Sequence, residues 1–356
     1  MVRPSDPDRR GATAPAGGGL PARRKTAPTI SHVAALAGVS TATVSKSLNG
    51  RAGISAATRA KVIAAAEQLG FRSSAIAQSL LSGRSYTVGL ITNDSFGRFS
   101  IPVMLGAEDA LQAGQIAVLL CDGRDDPIRE QHYVRTLAAR RVDGIIVTGR
   151  RADPRPPVTL DFPIPVVYAM CESTDPHDVS ILPDDEQGGR LAVEHLLATG
   201  RTSIGHVTGP SDFRAVRLRT AGATRALAAA GLELAGGGPL HGPWSEEWGR
   251  QAATILLRAQ DDLDAVFCGS DQIARGVAEG LQAAGRNIPG DIALVGFDNW
   301  TVMTDACRPP LTTVDMNLPL VGKRAAETLL AAIDGGTASG AELVPCRLVV
   351  RESTRV

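Results

Sequence analysis

At 356 residues, 44% hydrophobic and 21% charged, the chain has material for two or three domains with sizeable cores, which excludes wholesale disorder. No apolar run approaches the roughly 20 residues that would span a bilayer, so no membrane partner is expected. The formal net charge of 0 hides an imbalance: residues 1–86 hold 12 Lys/Arg and 3 Asp/Glu, whereas residues 87–356 hold 25 and 34, a basic arm on an acidic body that suits a polyanionic partner.

Residues 1–28 are rich in Pro, Gly, Ala and Arg and read as a disordered basic tail. No apolar stretch follows their arginines, so no secretory signal is expected and a cytoplasmic location is. The cysteines Cys121, Cys171, Cys268, Cys307 and Cys346 form no CxxC pair. That argues for reduced thiols, against a disulfide scaffold or zinc ribbon, and for no metal or cofactor.

Residues 29–72 predict three short helices. Ile30, Val33, Ala34 and Ala37 keep helical spacing, and Gly38 ends that helix. Ser40 caps a second helix carrying Val44 and Leu48, which Asn49-Gly50 stops. Ser55 caps a third, with Val62, Ile63, Ala66 and Leu69 on one face and Gly70 at its end. Two helices joined by a Gly-containing turn, with a third behind them, describe a helix-turn-helix. Residues 73–86 hold a short helical pattern, "SSAIAQSLLSG", too polar to stand alone.

From residue 87 strands and Ala-rich helices alternate. Strands are predicted at 88–92, 116–121, 144–148, 166–169, 204–208, 265–268 and 292–296, with helices such as 102–113, 188–198 and 250–259 between them. Repeated βα units imply parallel sheets covered by helices, and about 270 residues implies two such subdomains.

The segment "TISHVAALAGVSTATVSKSLNGRAGISAATRAKVIAAAEQLGF" resembles, throughout its length, the headpiece of the LacI family of bacterial transcriptional regulators. The resemblance implies that the second helix, roughly Thr41–Leu48 and capped by Ser40, lies in the major groove of double-stranded DNA. Thr41 and Ala42 would set sequence preference and Lys46 would read a base. Thr43, Ser45 and Asn49 would contact phosphates, as would Thr29 at the start of the first helix. Lys46 stands where many relatives carry Arg, and a point donor reads guanine less strictly than a fork. Residues 73–86 would be a hinge helix, with Leu80 wedged into the minor groove and Ala77 small enough for two hinge helices to pack. Ser73-Ser74 departs from the Pro-Asn usual in relatives. Two headpieces on a two-fold axis would read a palindromic operator, so a homodimer is expected. The C-terminal "CRLVVRESTRV" shows no heptads for higher assembly.

Residues 87–356 resemble the periplasmic sugar-binding fold carried by this family: two α/β subdomains around an effector cleft. The chain is expected to cross between them near Pro183, near 314–317 and near 337. The N-subdomain would then span 87–182 and 317–337, and the C-subdomain 183–316 and 338–356. By position, Arg217 would hydrogen-bond sugar hydroxyls and Trp244 would stack on a sugar ring. Ser270 and Asp271 open a helix, where Asp271 is as well a helix cap as a ligand contact. Asp298, followed by Asn299 and Trp300, stands at a strand end where relatives accept ligand hydroxyls. Ser95, Phe96 and Phe99 would line the other wall, and Tyr168 follows another strand. Trp248, like Trp244, could be core.

The expected function is a repressor switched by a small molecule, a carbohydrate by default. The rivals are a sugar- or nucleobase-binding protein that reads no operator, and an enzyme on an α/β scaffold. No P-loop, GxGxxG after a strand, HExxH, GxSxG or Cys/His metal spacing occurs, so no enzyme is expected. His206, between Gly205 and Val207, reads as a strand histidine rather than a general base.

Overall fold

The computed structural model describes residues 28–48, 53–71, 84–112, 115–158 and 164–355, in two units divided near residue 78. The expected tail at 1–28, save Pro28, lies outside the described residues, as do Asn49 and the hinge residues Ala77 and Leu80.

The first unit holds α1 (Ile30–Ala37), α2 (Thr41–Leu48) and α3 (Ala56–Leu69). Local chemistry sets their ends. Ser40 Oγ accepts from Thr43 N (3.1 Å) and Ser55 Oγ from Thr58 N (3.2 Å), satisfying donors that a helix start leaves free. Gly38 and Gly70 end α1 and α3 at φ 67° and 62°, a conformation glycine enters without strain. Val33, Ala34, Val44, Val62, Ala65 and Ala66 form the core. Ile63 does not join it, being 42% exposed. Positions 62, 65, 66 and 69 make the buried stripe, and residue 63 lies about 100° around the helix from 62.

The second unit has two six-stranded sheets. The first is built from β1 (Thr87–Thr92), β2 (Ala117–Asp122), β3 (Gly144–Thr148), β5 (Val166–Ala169), β7 (Val179–Pro183) and β13 (Gly340–Val344), in the order β13-β7-β5-β3-β1-β2, all parallel. Strands β4 (Pro154–Arg155) and β6 (Glu172–Ser173) pair beside it. The second sheet holds β8 (Ile204–Thr208), β9 (Leu240–His241), β10 (Ala265–Cys268), β11 (Ala293–Phe297), β12 (Thr312–Asp315) and β14 (Arg347–Val349), in the order β14-β12-β11-β10-β8-β9. Only β14 runs antiparallel. Inner strands β3, β8 and β11 are buried at every position, as parallel strands covered on both faces must be.

The chain crosses between sheets after β7, after β12 and between Val344 and Arg347. The last crossing corrects the boundary expected near 337. Gly340–Val344 add to β7 in parallel register, so the N-subdomain keeps this edge strand, and only residues from 347 join the second sheet.

The helices are α4 (Ser100–Gln112), α5 (Pro127–Ala139), α6 (Asp185–Ala198), α7 (Arg214–Ala229), α8 (Glu246–Ala259), α9 (Asp271–Ala283), α10 (Thr301–Thr304) and α11 (Leu318–Ile333). Three pairs, α4/α11, α6/α7 and α8/α9, touch backbone to backbone. A Cβ on Gly106 or Gly322, Gly189 or Gly222, Gly249 or Gly276 would fall 1.9–2.2 Å from a carbonyl oxygen of the partner helix. Only glycine permits that approach.

Below the cleft end of β8, His206 is fully buried. Its ring stacks on Phe267 (centroids 4.6 Å apart), Nδ1 meets Phe267 O (3.0 Å) and Nε2 meets Thr220 Oγ1 (3.2 Å). Burial pulls the imidazole down to about 4. Above pH 6.5 both folded and unfolded chains keep it neutral. As pH falls from 6.5 towards 4 only the unfolded chain takes the proton, and stability is lost. The expected loss is about 3 kcal/mol. Urea unfolding at stepped pH should show it, and His206→Gln should flatten the decline. An identical pH profile in that variant would overturn the assignment.

Candidate functional site

Two surfaces carry chemistry, one in each unit. In the first, fully buried Val44 and nearly buried Ser47 seat α2 against its neighbours. The opposite face presents Thr41, Ala42 and Lys46 exposed, with Thr43 and Ser45 half-buried. Thr43 Oγ1 lies 2.9 Å from Ser40 Oγ, so the cap also orients the Thr43 hydroxyl. Exposed Thr29 precedes α1, its N–H donating to His32 Nδ1 (3.1 Å). Small polar side chains with one terminal cation make a helix face that can approach base edges closely.

In the second unit, loops at the carboxyl ends of both sheets line a cleft of about 830 Å³. On the first wall, buried Asp94 shapes the loop after β1. Its Oδ2 accepts from Phe99 N (2.7 Å) and Ser100 N (2.9 Å). The loop thereby presents Ser95, Phe96, Arg98 and Phe99 to the cleft. Ser95 Oγ donates to Asp122 Oδ1 (3.2 Å), and Phe96 stands 98% exposed.

On the second wall, Asp298 follows β11 with φ 111°, an unusual backbone held by its N–H to Val314 O (2.8 Å). Its carboxylate pairs with Arg98 from the opposite wall, and Arg219 Nη1 lies 3.5 Å from it. Arg219 is 6% exposed: Nε donates to Asp185 Oδ1 (2.8 Å), Nη1 to Gly269 O (2.6 Å), and its guanidinium lies 3.7 Å from the Phe297 ring centroid. Arg98 rests on the rings of Phe99 (4.8 Å) and Trp300 (4.5 Å). Burial pushes the Asp298 carboxyl up, and Arg98 and Arg219 hold it back. Burial of Asp271, with Asp298 nearby, raises that carboxyl well above the ordinary range.

Ser95, Phe96, Phe99, Trp244, Ser270 and Asp298 all line the cleft. Ser270 also caps α9, accepting from Ile273 N (3.2 Å). Trp244 packs on Gly209 and meets Phe213 edge-on at 5.9 Å. Trp248 is structural, its indole N–H donating to Thr208 O (3.1 Å).

Three expected positions are corrected. Tyr168 is 1% exposed within the first sheet's core, where its hydroxyl accepts from Val158 N (2.9 Å). Asp271 turns inward and accepts from Trp300 N (2.7 Å) and Thr313 Oγ1 (2.5 Å), so it positions the Trp300 loop instead of lining the cleft. Arg217 lies outside the cleft, donating to Asp212 O (2.5 Å), and Arg219 takes the place expected for it. Two positions along a helix are about 200° apart, whereas Ala215 and Arg219, one turn apart, both face the cleft. A helical wheel would have found this, because Arg219 belongs to the buried stripe Val216, Gly222, Ala223, Ala226 and Leu227. Arg98 and Asp185 were missed and had no periodic signal.

Among the described residues no cluster of His, Cys, Asp and Glu could hold a metal ion, and no helix is long and apolar enough to cross a membrane.

Residues 29–74 match the family model for bacterial regulatory proteins, lacI family, and residues 193–354 match that for the periplasmic binding protein-like domain. The HTH-type transcriptional repressor PurR of Aliivibrio salmonicida is 33% identical, over 86% of this chain and 92% of its own. The structure of a transcriptional regulator CelR–cellobiose complex is similar, at TM-score 0.62 and 31% identity over 92% of this chain and 99% of that one. The lac repressor dimer bound to operator and the anti-inducer ONPF gives TM-score 0.68 and 29% identity, over the same shares of the two chains.

Proposed function

The chain belongs to the lacI family of bacterial regulatory proteins, and from that premise we propose that it represses transcription by reading a two-fold symmetric operator as a homodimer, switched by a carbohydrate in the cleft. It is a DNA-binding transcriptional regulator, not an enzyme, as its relatives are.

The observation that carries the effector reading is the cleft's construction. A hydrogen-bonding floor of Asp298, Arg219 and Ser270 lies within reach of the Trp244 face. Sugars present hydroxyls to the first and C–H groups to the second. The CelR relative binds cellobiose in its solved structure, which supports the same class here. For the dimer, support comes from the edge of the first sheet. Helix α4 packs beside edge strand β2, and Leu105 and Leu120 stand 52% and 45% exposed there. An apolar face of this kind suits a second copy, and the lac repressor relative is a dimer on its operator. Ligand that favours the closed cleft would shift the dimer between two states. Such a regulator works in the cytoplasm.

Selection from a random duplex pool with the full chain tests the reading. A two-fold symmetric motif is expected. No enrichment, with or without pooled sugars and nucleobases, would overturn it. On the selected operator, Lys46→Ala should lower discrimination at one position of each half-site by about tenfold, within the roughly 1–3 kcal/mol of a base-edge contact. Unchanged relative affinities across operator variants would remove Lys46 from base reading.

A further inference from the structure

We propose that Arg98 competes with the effector for Asp298, so that this one side chain, reaching over from the opposite wall, sets how much effector the switch requires; this rests on the reading of the cleft as the effector site.

Two arginines meet the Asp298 carboxylate, and they are held very differently. Arg219 is fixed. It comes from within α7, is 6% exposed, and gives its nitrogens to Asp185 Oδ1, Gly269 O and Met316 Sδ. Arg98 stands in the loop between β1 and α4, beside Gly97 at φ 73°. Its one acceptor among the described residues is Asp298 Oδ2, and its Nε is sealed from solvent with no acceptor. A buried charged donor left unmet costs free energy, and release to water gives it a partner again. Of the two pairings, that of Arg98 is therefore the weaker and the one an incoming ligand can undo.

Arg98 also covers what a ligand would use. Asp298 belongs to the cleft lining, yet with the guanidinium over it the carboxylate side chain is only 5% exposed. The same guanidinium lies 4.5 Å from the Trp300 ring centroid and 4.8 Å from that of Phe99, aromatic faces on which the C–H groups of a sugar would stack. A ligand with hydroxyl donors and an apolar ring face thus seeks the carboxylate and the rings that Arg98 already holds. Apparent affinity is the intrinsic affinity reduced by the fraction of molecules in which the site is competent. Here that fraction is the share in which Arg98 has left Asp298, so the strength of one ion pair tunes the response without altering any ligand contact.

The test uses the full chain, calorimetry and thermal shift. The probes are cellobiose, a panel of neutral hexoses and disaccharides, and purine bases. Arg98→Ala should bind the best wild-type probe about tenfold tighter, the result if Arg98 covers the carboxylate in about nine molecules of ten. Arg98→Met, which keeps the stem over the rings, guards against a loop disturbed by truncation and should tighten binding in the same direction. The gain should vanish in an Asp298→Ala background, where nothing is left to compete for. Unchanged affinity in both Arg98 variants overturns the proposal. Weaker binding in both also overturns it and makes Arg98 a ligand contact. Methylguanidinium chloride at millimolar concentration gives a reading that needs no effector. It should refill the place of Arg98, raising the melting temperature of Arg98→Ala relative to wild type and not that of the double variant. Binding by purines alone overturns the carbohydrate reading, and the same comparison is then made with the purine. A panel that binds no chain overturns the carbohydrate reading as well, and the methylguanidinium shift decides the proposal: its presence supports Arg98 as the occupant, its absence overturns it.

Discussion

Arg219→Met should lower the unfolding free energy by about 3–5 kcal/mol, the range for removing one partner of a buried ion pair. Asp185, 1% exposed, would be left with no cation to meet it, and Asp298 would lose one of two. Burial works against the charge of Arg219, and Asp185 and Asp298 outweigh it, holding the guanidinium above its ordinary value. The methionine preserves the stem that packs along α7, so the loss reports the charge and its hydrogen bonds. Urea unfolding at neutral pH measures it, with Arg217→Met as the control. That side chain lies outside the cleft, and its loss should matter by no more than about 0.5 kcal/mol. Equal losses in the two variants would show that the buried network has been misjudged.

Asp298→Ala should abolish the effector response while leaving operator binding within about twofold. The carboxylate anchors Arg98 across the cleft, faces Arg219, and offers the floor's acceptor oxygens. Without it both guanidinium groups lose their shared partner, and the walls lose their direct ionic contact. Losing a buried hydrogen-bonded charge of this kind weakens binding by about 2–5 kcal/mol, at least about 30-fold more effector for the same response. Operator binding followed by fluorescence anisotropy over an effector titration reads this out. A wild-type midpoint would show that the effector binds elsewhere.

What could be read in advance was local chemistry. Ser40, Ser55, Gly38 and Gly70 mark helix ends because capping and positive φ involve only near neighbours. Asp298 announced itself as a carboxylate after five buried strand residues. What stayed hidden depends on contacts distant in sequence. Arg98 sits in a loop with no periodicity, and its partner lies 200 residues further on. Asp271 was ambiguous until Thr313 and the Trp300 N–H turned it inward. Tyr168 follows the strand pattern of a cleft residue, yet the pairing of β3 and β7 on either side closes over it. The edge strand Gly340–Val344 is five residues long, opens on a glycine at φ 85° and alternates Ala, Glu and Leu on a mostly exposed edge, so it carried no strand signal and displaced the last subdomain boundary.

The glycine contacts between α6 and α7 bear on how this regulator could acquire a new ligand. Gly189 lies against the carbonyl of Arg219, and Gly222 against that of Glu186, next to Asp185. The two charged residues at the base of the cleft are thus set at their spacing by positions with no side chain. Rim residues such as Ser95, Arg151 and Trp244 could be exchanged one at a time, each altering only its own contact. A methyl group at Gly189 or Gly222 would instead shift Arg219 relative to Asp185 and change what the whole floor selects. A search for variants with altered effectors should therefore recover substitutions at these two glycines, neither of which lines the cleft.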